Sequence, residues 1–204
     1  MCKFHYNIFM KTNPNNFLKA SDIIDFNHPS IQVLAKRLSD NCNSDKAIAK
    51  NCFHYVRDEI KHAGDFKSQI GTCSASEVLE HKTGWCYAKA HLLAALLRAN
   101  SIPTGFCYQR LHCNEYEDGS FCLHGLNAIY LKEFGWYRVD PRGNKEGVNA
   151  QFNPPLEQLA FLVGEGEFDL EMIHQEPLNC VITALKTNDT YEKMVGNFPD
   201  IQNL

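Results

Sequence analysis

The sequence predicts an α+β fold in which helices pack on an antiparallel sheet. Separate segments within residues 29–101 carry the apolar periodicity of helices, whereas segments within residues 104–140 have the apolar and aromatic patterns of strands. Short turns separate the strand segments, which is typical of an antiparallel meander. Because the helices come first and the strands follow, we expect a single α+β domain over residues 1–204.

Four segments are predicted to be helical. Residues 29–39 place apolar side chains at helical spacing, and a second helix begins near Ser44. Residues 74–77 have the spacing of a capping box, so a short helix is expected to open there and continue through His81. The fourth helix is the most strongly apolar and begins at Cys86.

Three strands are predicted, over residues 104–112, 121–132 and 136–140. A turn at residues 117–120 separates the first two strands, and a tight hairpin at residues 134–135 joins the last two. The hairpin makes the second and third strands neighbours in the sheet. Side chains near the start of one strand therefore lie beside side chains near the end of the other.

The two ends of the chain carry weaker patterns. Residues 1–28 are interpreted as an extended opening segment followed by a loop. A short helix is expected within residues 154–163 and a loop over residues 165–169. The apolar period of residues 177–185 fits a helix or a strand equally well.

Composition and charge narrow the class of protein. The chain has 204 residues, of which 44% are hydrophobic and 22% charged, as in a globular protein with a core of its own. The formal net charge is -4 and Lys or Arg runs are absent from the sequence, which argues against a nucleic-acid partner. No apolar stretch reaches the roughly 20 residues that span a bilayer, so no membrane partner is expected either.

Nine cysteines are many for a chain of this length. The N-terminal residues lack the pattern of a secretory signal peptide, so we expect a cytoplasmic protein whose thiols mostly stay reduced. Free cysteines are commonly small buried apolar residues, and most of the nine are expected to fill the core.

Cys86 is the first candidate for chemistry. It follows Gly84 and Trp85 and opens the fourth helix, where unpaired N–H groups and the helix dipole favour an anion and hence a thiolate. A thiolate at that position would be a nucleophile at neutral pH. Taken alone, however, an ordinary buried cysteine is the simpler interpretation of Cys86.

His124 and Asp140 change that interpretation. His124 lies on the second strand, and imidazole titrates in the range that a base for a thiol nucleophile needs. Asp140 ends the third strand, and the hairpin brings it beside the second strand to within a few residues of register. A carboxylate there could hold the tautomer and orientation of His124. The ordered set of Cys86, His124 and Asp140 therefore predicts a cysteine-dependent acyl-transfer enzyme.

The motifs around these residues resemble a known family. Residues 84–103, which read GWCYAKAHLLAALLRANSIP, resemble the nucleophile helix of the transglutaminase-like superfamily, in which Gly-x-Cys opens a helix and Ile-Pro begins a strand. His124 within a strand and the segments at residues 135–136 and 139–141 match the remaining catalytic motifs in order and spacing. The resemblance covers about residues 44–142 of the chain.

The resemblance implies a papain-like core with a Cys-His-Asp site. Cys86 would attack an amide or ester carbonyl to form a thioester, His124 would pass protons, and Asp140 would orient His124. The chain resembles the compact microbial type within this family. That resemblance implies a peptidase or amidase acting on a peptide or protein amide, with no cofactor and no metal. A protein-glutamine transglutaminase or a deamidase shares the thioester and is the alternative within the family.

The chain departs from the family pattern in two places. Residues 125–127 read Gly-Leu-Asn where many members have Trp or Ala followed by an acidic residue, and Arg142 replaces a frequent Thr. Both departures lie near the site and leave the substrate class open. The backbone N–H of Cys86 is the expected first oxyanion donor, and Gln69 is a conceivable side-chain partner that could equally be a surface residue.

Two interpretations of another class compete with catalysis. Cysteine and histidine are zinc ligands, and five of them are concentrated in one region: Cys107, His112, Cys113, Cys122 and His124. No Cys-x-x-Cys pair occurs there, and alternate residues of a strand point to opposite faces. The other interpretation is a peptide-binding domain that has lost its chemistry.

Outside these motifs, His54 and His62 lie off the apolar stripe of the second helix and are expected to be solvated.

Overall fold

The computed structural model describes residues 12–113 and 119–201. After a 3₁₀ helix, its elements follow in this order: α1 Pro29–Ser39, α2 Asp45–Glu59, β1 Lys61–His62, α3 Ala75–His81, β2 Thr83–Gly84, α4 Cys86–Ala99, β3 Thr104–His112, β4 Phe121–Leu131, β5 Gly135–Val139, β6 Gln151–Asn153, β7 Leu156–Gln158, β8 Phe168–Asp169, α5 Asn179–Thr187 and α6 Tyr191–Met194. The start of the predicted extended segment and part of the predicted turn at residues 117–120 lie outside the described residues.

The α+β architecture is confirmed, with helices on an antiparallel sheet. The main sheet has the strand order β5-β4-β3-β8, and each neighbouring pair is antiparallel. Helix α4 lies at the centre, because it contacts α1, α2 and α3 on one side and β3 and β4 on the other. A second, two-stranded parallel sheet pairs β1 with β2 directly before α4.

Helix α4 is buried on all sides, as its nearly continuous apolar sequence predicts. Every residue from Cys86 to Arg98 is buried, including Lys89. The Lys89 ammonium donates hydrogen bonds to the carbonyl oxygens of Ile60 and Arg57 at the end of α2. Those carbonyls lack helical partners, so Lys89 satisfies them while burial lowers its own pKa to about 7. This contact fixes the nucleophile helix against α2.

The predicted helix starts are confirmed by their caps. Ser44 accepts a hydrogen bond from the Ala47 N–H, and Ser74 with Glu77 forms the expected capping box. Among residues 12–113 and 119–201, no helix is long and apolar enough to cross a membrane.

The predictions for the C-terminal third were partly wrong. The expected helix within residues 154–163 is instead the strand β7, which pairs with β6. The Tyr137 hydroxyl stabilises this hairpin from both sides of its turn. It accepts a hydrogen bond from the Asn153 N–H at 3.0 Å and donates one to the Leu156 carbonyl oxygen at 3.1 Å. Residues 168–169 of the expected loop form β8 at the edge of the main sheet. The undecided segment near residue 180 is the helix α5.

Candidate active site

Cys86 is the first residue of α4 and lines a cavity of about 450 Å³. The strand β2 leads directly into the helix, with Gly84 paired to His62 of β1. The N-cap residue Trp85 makes no side-chain capping hydrogen bond. The first N–H groups of α4 can therefore donate hydrogen bonds to a group bound in the cavity. The Cys86 side chain is 7% exposed, at the floor of this cavity.

His124 and Asp140 meet as the sequence predicted. Asn127 of β4 pairs with Val139 of β5, which places Asp140 beside the His124 end of β4. His124 Nε2 lies 2.7 Å from Asp140 Oδ2. Asp140 is fully buried, and it also accepts hydrogen bonds from two backbone N–H groups, Ala160 at Oδ2 and Arg142 at Oδ1, both at 3.1 Å. Both carboxylate oxygens are therefore occupied by donors.

The His124 ring connects Asp140 to Cys86. Its Nε2 faces Asp140, which leaves Nδ1 for the hydrogen bond that His124 shares with the Cys86 side chain. Burial by itself lowers the pKa of His124, but the charges and hydrogen bonds of Asp140 and Cys86 outweigh it and raise the pKa to about 10. Burial likewise opposes ionisation of Asp140, yet His124 and the two N–H donors lower its pKa. At neutral pH the ring is therefore an imidazolium that lies between the Asp140 carboxylate and the Cys86 sulfur.

The departures from the family pattern at residues 125–127 hold α4 against β4. Tyr87 donates its hydroxyl proton to the Leu123 carbonyl oxygen. Asn127 is fully buried, and its amide donates to the carbonyl oxygens of Ala90 at 3.1 Å and Gly105 at 3.3 Å. A carboxylate at residue 127 would face two acceptors with no proton to offer, so the amide is the chemically suitable group here.

Gly125 is required where Tyr87 crosses β4. A Cβ atom on residue 125 would lie 2.8 Å from the Tyr87 ring and 3.3 Å from the Tyr87 Cα. We therefore expect Gly125→Ala to lower the free energy of unfolding by about 1–3 kcal/mol and to move Cys86 away from His124. Urea unfolding measures the first effect, and the rate of Cys86 alkylation measures the second. Lys50→Ala, at an exposed position of α2, is the control and should stay within about 0.5 kcal/mol of wild type. Equal stability of Gly125→Ala and wild type would contradict the close approach.

A charged cluster supports the rim of the cavity. Arg142 makes a two-pronged ion pair with Asp65, at 2.7 and 2.9 Å, and Lys145 adds a third contact to Asp65 at 2.7 Å. The Arg142 guanidinium also lies 5.7 Å from the centre of the Phe161 ring. The Phe161 ring in turn lies nearly perpendicular to the His124 ring, with ring centres 4.9 Å apart. The arginine that departs from the family pattern thus braces the wall beside His124.

His62 was predicted to be solvated, and this prediction was wrong. Its side chain is only 8% exposed and lines the same cavity as Cys86 and His124. The error arises because His62 follows the helix α2 rather than belonging to it. Pairing of β1 with β2 turns the imidazole inward, beside the Trp85 ring at 5.5 Å between ring centres. Helical periodicity could not show this.

The C-terminal residues form another wall that the sequence did not predict. The Leu123 N–H donates to the Pro199 carbonyl oxygen at 2.8 Å, so this segment runs beside the part of β4 that β5 does not reach. Phe198 packs edge-on against Trp85 with ring centres 5.1 Å apart. An ion pair between Asp200 and Arg110 at 2.7 Å fixes the segment. No local pattern of residues predicts this placement, because it depends on contacts with β3 and β4, which lie far away in sequence.

Two sequence hypotheses find no support at the cavity. Gln69 is exposed and donates to Glu192 at 3.0 Å, away from the cavity lining. Within the part of the chain that the structure describes, no three His, Cys, Asp or Glu side chains converge in a group that could hold a metal ion. His124 is instead occupied by Asp140 and Cys86.

The family comparison agrees with this geometry. The model of the transglutaminase-like superfamily core matches residues 32–141, more than half of the chain and all three of Cys86, His124 and Asp140. The chain belongs to the transglutaminase-like superfamily. Members of this superfamily are generally cysteine-based enzymes. No curated protein matches the sequence at a significant level.

Several solved structures resemble this superfamily member at low identity. A candidate cysteine protease from Cytophaga hutchinsonii is 21% identical, with a TM-score of 0.48 over 65% of this chain and 44% of its own. The periplasmic domain of TgpA from Pseudomonas aeruginosa is 19% identical, with a TM-score of 0.48 over 64% of this chain and 48% of its own. Red sea bream transglutaminase is 11% identical, with a TM-score of 0.45 over 58% and 27%. The chain thus spans less than half the length of these structures.

Proposed function

We propose that the protein is a cysteine-dependent hydrolase of amides or esters that works through a thioester on Cys86. The observation that carries the proposal is the connected set of Cys86, His124 and Asp140, in which Cys86 and His124 line one cavity and the buried Asp140 is hydrogen-bonded to His124. The raised pKa of His124 supports it, because an imidazolium beside Cys86 stabilises the thiolate that attacks a carbonyl.

Each residue then has one role in the reaction. The Cys86 sulfur bonds to the substrate carbonyl carbon, and the carbonyl electron pair moves to oxygen. His124 gives its Nδ1 proton to the leaving amine or alcohol as the thioester forms, then takes a proton from the water that hydrolyses it. Asp140 holds Nε2 throughout, which keeps Nδ1 directed at Cys86.

We further propose that the substrate is a peptide or protein amide and that water resolves the thioester. A cavity of about 450 Å³ is large enough for one side chain and its flanking backbone. Transfer to an amine is the alternative, since an amine could attack the same thioester. Product analysis by mass spectrometry, with and without added glycine amide, separates the two: hydrolysis gives the free acid in both cases, and transfer gives the amide adduct.

The first test is the relative reactivity of the cysteines. Cys86 is buried, whereas Cys42 and Cys180 are more accessible. We expect iodoacetamide at neutral pH to modify Cys86 first nonetheless, because His124 supplies a cation beside its sulfur and burial raises the pKa of Cys180. Peptide mapping by mass spectrometry over a time course gives the order of modification.

The matching activity test uses hydrolysis of p-nitrophenyl acetate. Cys86→Ala is expected to abolish the burst of p-nitrophenolate that reports acylation, and Cys180→Ser is expected to retain it. The proposal would be wrong if accessibility alone set the order of alkylation, or if Cys86→Ala kept the burst.

A further inference from the structure

Phe198 lines the same cavity as Cys86, although the two residues are far apart in sequence. The model of the superfamily core matches residues 32–141, so this wall comes from a part of the chain outside the matched core. The Phe198 ring lies nearly perpendicular to the Trp85 ring, with ring centres 5.1 Å apart. Trp85 directly precedes the nucleophile in sequence. Phe198 therefore borders the space in which an acyl group on Cys86 would lie.

The two residues that follow Phe198 hold it in place. Pro199 accepts a hydrogen bond from the Leu123 N–H of β4 at 2.8 Å. Asp200 makes a two-pronged ion pair with Arg110 of β3, at 2.7 and 2.8 Å. Because both carboxylate oxygens of Asp200 bind the guanidinium, the geometry of the pair is well defined. The Phe198 ring is thus fixed at the cavity by contacts with two strands of the main sheet.

Aromatic and aliphatic side chains form much of the cavity wall around this ring. Besides Phe198, the lining includes Trp85, Tyr87, Leu111, Leu123 and Phe161. Leu162 also lines the cavity, and it is 90% exposed. An apolar ligand that covered Leu162 would remove this surface from water, which favours binding. The lining therefore favours an apolar group on the substrate.

Apart from the catalytic residues, the charged side chains of the lining have little to offer a charged substrate. Arg142 and Lys145 both bind Asp65. Each carboxylate oxygen of Glu167 already accepts a backbone N–H, at 2.8 and 2.7 Å. Glu146 is exposed, so water solvates it. A charged group that entered the cavity would leave water without gaining a buried counter-ion of its own, which costs free energy.

We propose that Phe198 is a specificity-determining residue that packs against the acyl group of the substrate and selects acyl groups with an uncharged, apolar side chain. This inference rests on the proposed function of Cys86.

The acyl group is the part of the substrate that the cavity holds longest. It stays bonded to the Cys86 sulfur after the leaving group departs, so it occupies the cavity in both halves of the reaction. In a peptide substrate, the acyl group ends in the residue whose carbonyl carbon is attacked. An apolar side chain on that residue would pack against Phe198, and a charged one would lose its hydration.

A set of esters with one leaving group measures this selectivity. The p-nitrophenyl esters of N-acetylated glycine, norleucine, lysine and glutamate differ only in the side chain of the acyl group. Norleucine and lysine have side chains of similar length and differ by the terminal ammonium. We expect kcat/KM of the wild type for norleucine to exceed that for each of the other three by at least about 10-fold.

Variants of the wall should change this preference. Phe198→Ala is expected to lower the norleucine-to-glycine ratio of kcat/KM by about 10-fold, and Phe198→Leu should keep most of the ratio because leucine is also apolar. Asp200→Asn weakens the ion pair with Arg110 and should lower the ratio in the same sense. Phe134→Ala, at a partly buried phenylalanine outside the lining, is the matched control. A smaller folded fraction of a variant cancels in the ratio.

The possible results are distinct. A ratio that falls in Phe198→Ala and stays at the wild-type value in Phe134→Ala supports the inference. An unchanged ratio in Phe198→Ala overturns it, and so does a wild type that prefers lysine or glutamate to norleucine. Wild-type protein that hydrolyses the esters without selectivity overturns the inference alone. Wild-type protein that gives no burst with any ester overturns the proposed function, and the inference with it.

Alkylation gives the same comparison without hydrolysis. N-butyl iodoacetamide carries the reactive group of iodoacetamide together with a four-carbon apolar chain. Cys86 of the wild type should favour the N-butyl reagent over iodoacetamide more strongly than Cys180 does, because Cys180 lies outside the cavity lining and serves as a reference within the same sample. Phe198→Ala should reduce this difference. Equal preferences at Cys86 and Cys180 in the wild type would overturn the inference.

Discussion

Replacing Asp140 by alanine is expected to slow acylation of Cys86 by about 10³- to 10⁴-fold. Three donors converge on its carboxylate, and the His124 ring loses the partner that orients it. The burst rate with p-nitrophenyl acetate measures the effect. Asp140→Asn should fall between alanine and wild type, because an amide has one oxygen and turns its NH₂ toward at least one of the three donors.

The pH dependence of His124 provides an independent check of the same contact. In the wild type, the pKa of His124 is raised from 6.5 to about 10, so the stability gained from its proton is complete below pH 6.5 and is lost as the pH rises through about 10. Removing Asp140 should let that proton leave at lower pH, as a histidine NMR titration would show.

The difference in free energy of unfolding between wild type and Asp140→Ala should also shrink as the pH rises above 10. Asp40→Ala, at an exposed carboxylate, is the control and should leave the burst rate and the His124 titration unchanged. An Asp140→Ala protein that is folded, acylates at the wild-type rate and titrates normally would rule out the orienting role.

Arg98→Ala is expected to lower the free energy of unfolding by about 3–5 kcal/mol, the range for removing one partner from a buried charged network. Arg98 lies in the last turn of α4, and its side chain is almost fully buried. Its guanidinium donates to the carbonyl oxygens of Thr104, Lys19 and Gln175. It therefore joins the nucleophile helix to the start of β3 and to segments near both ends of the chain. The truncation leaves these carbonyls without a donor.

Urea unfolding of Arg98→Ala and of Lys36→Ala, at an exposed position of α1, provides the comparison. The Lys36 variant should stay within about 0.5 kcal/mol of wild type, as surface changes usually do. Arg98→Lys should recover little, because an ammonium is a single point of donation and cannot span three carbonyls. A cost for Arg98→Ala as small as that for Lys36→Ala would show that the carbonyls find water or other donors.

Local sequence patterns were sufficient for the elements that carry Cys86, His124 and Asp140. The helix at Cys86 is indicated by an apolar run that is longer than a typical strand. The starts of its neighbours α2 and α3 are indicated by the capping residues Ser44 and Ser74. The hairpin between β4 and β5 follows from a short turn, which fixes the register to within a few residues. These signals are local, so they can be recognised along the chain.

The surroundings of the three residues depend on contacts between distant segments. The Tyr137 hydroxyl is hydrogen-bonded to both ends of the turn between β6 and β7. Phe198 reaches Trp85 where Pro199 is hydrogen-bonded to the part of β4 that β5 does not reach. His62 differs from an exposed histidine only through the pairing of β1 with β2. Each of these depends on partners many residues away, which propensity and periodicity do not encode.

The sequence by itself therefore determined the family, the α+β architecture and the three residues proposed to carry the chemistry, because each is marked by short-range spacing. Only the tertiary structure decided that His124 holds its proton between Asp140 and Cys86, and that Arg142 and Asp65 brace the cavity. It also decided that His62 lines the same cavity as Cys86, whereas Gln69 does not. The physical reason is that burial and charge act through space, so a group's protonation and exposure are set by neighbours that folding alone assembles.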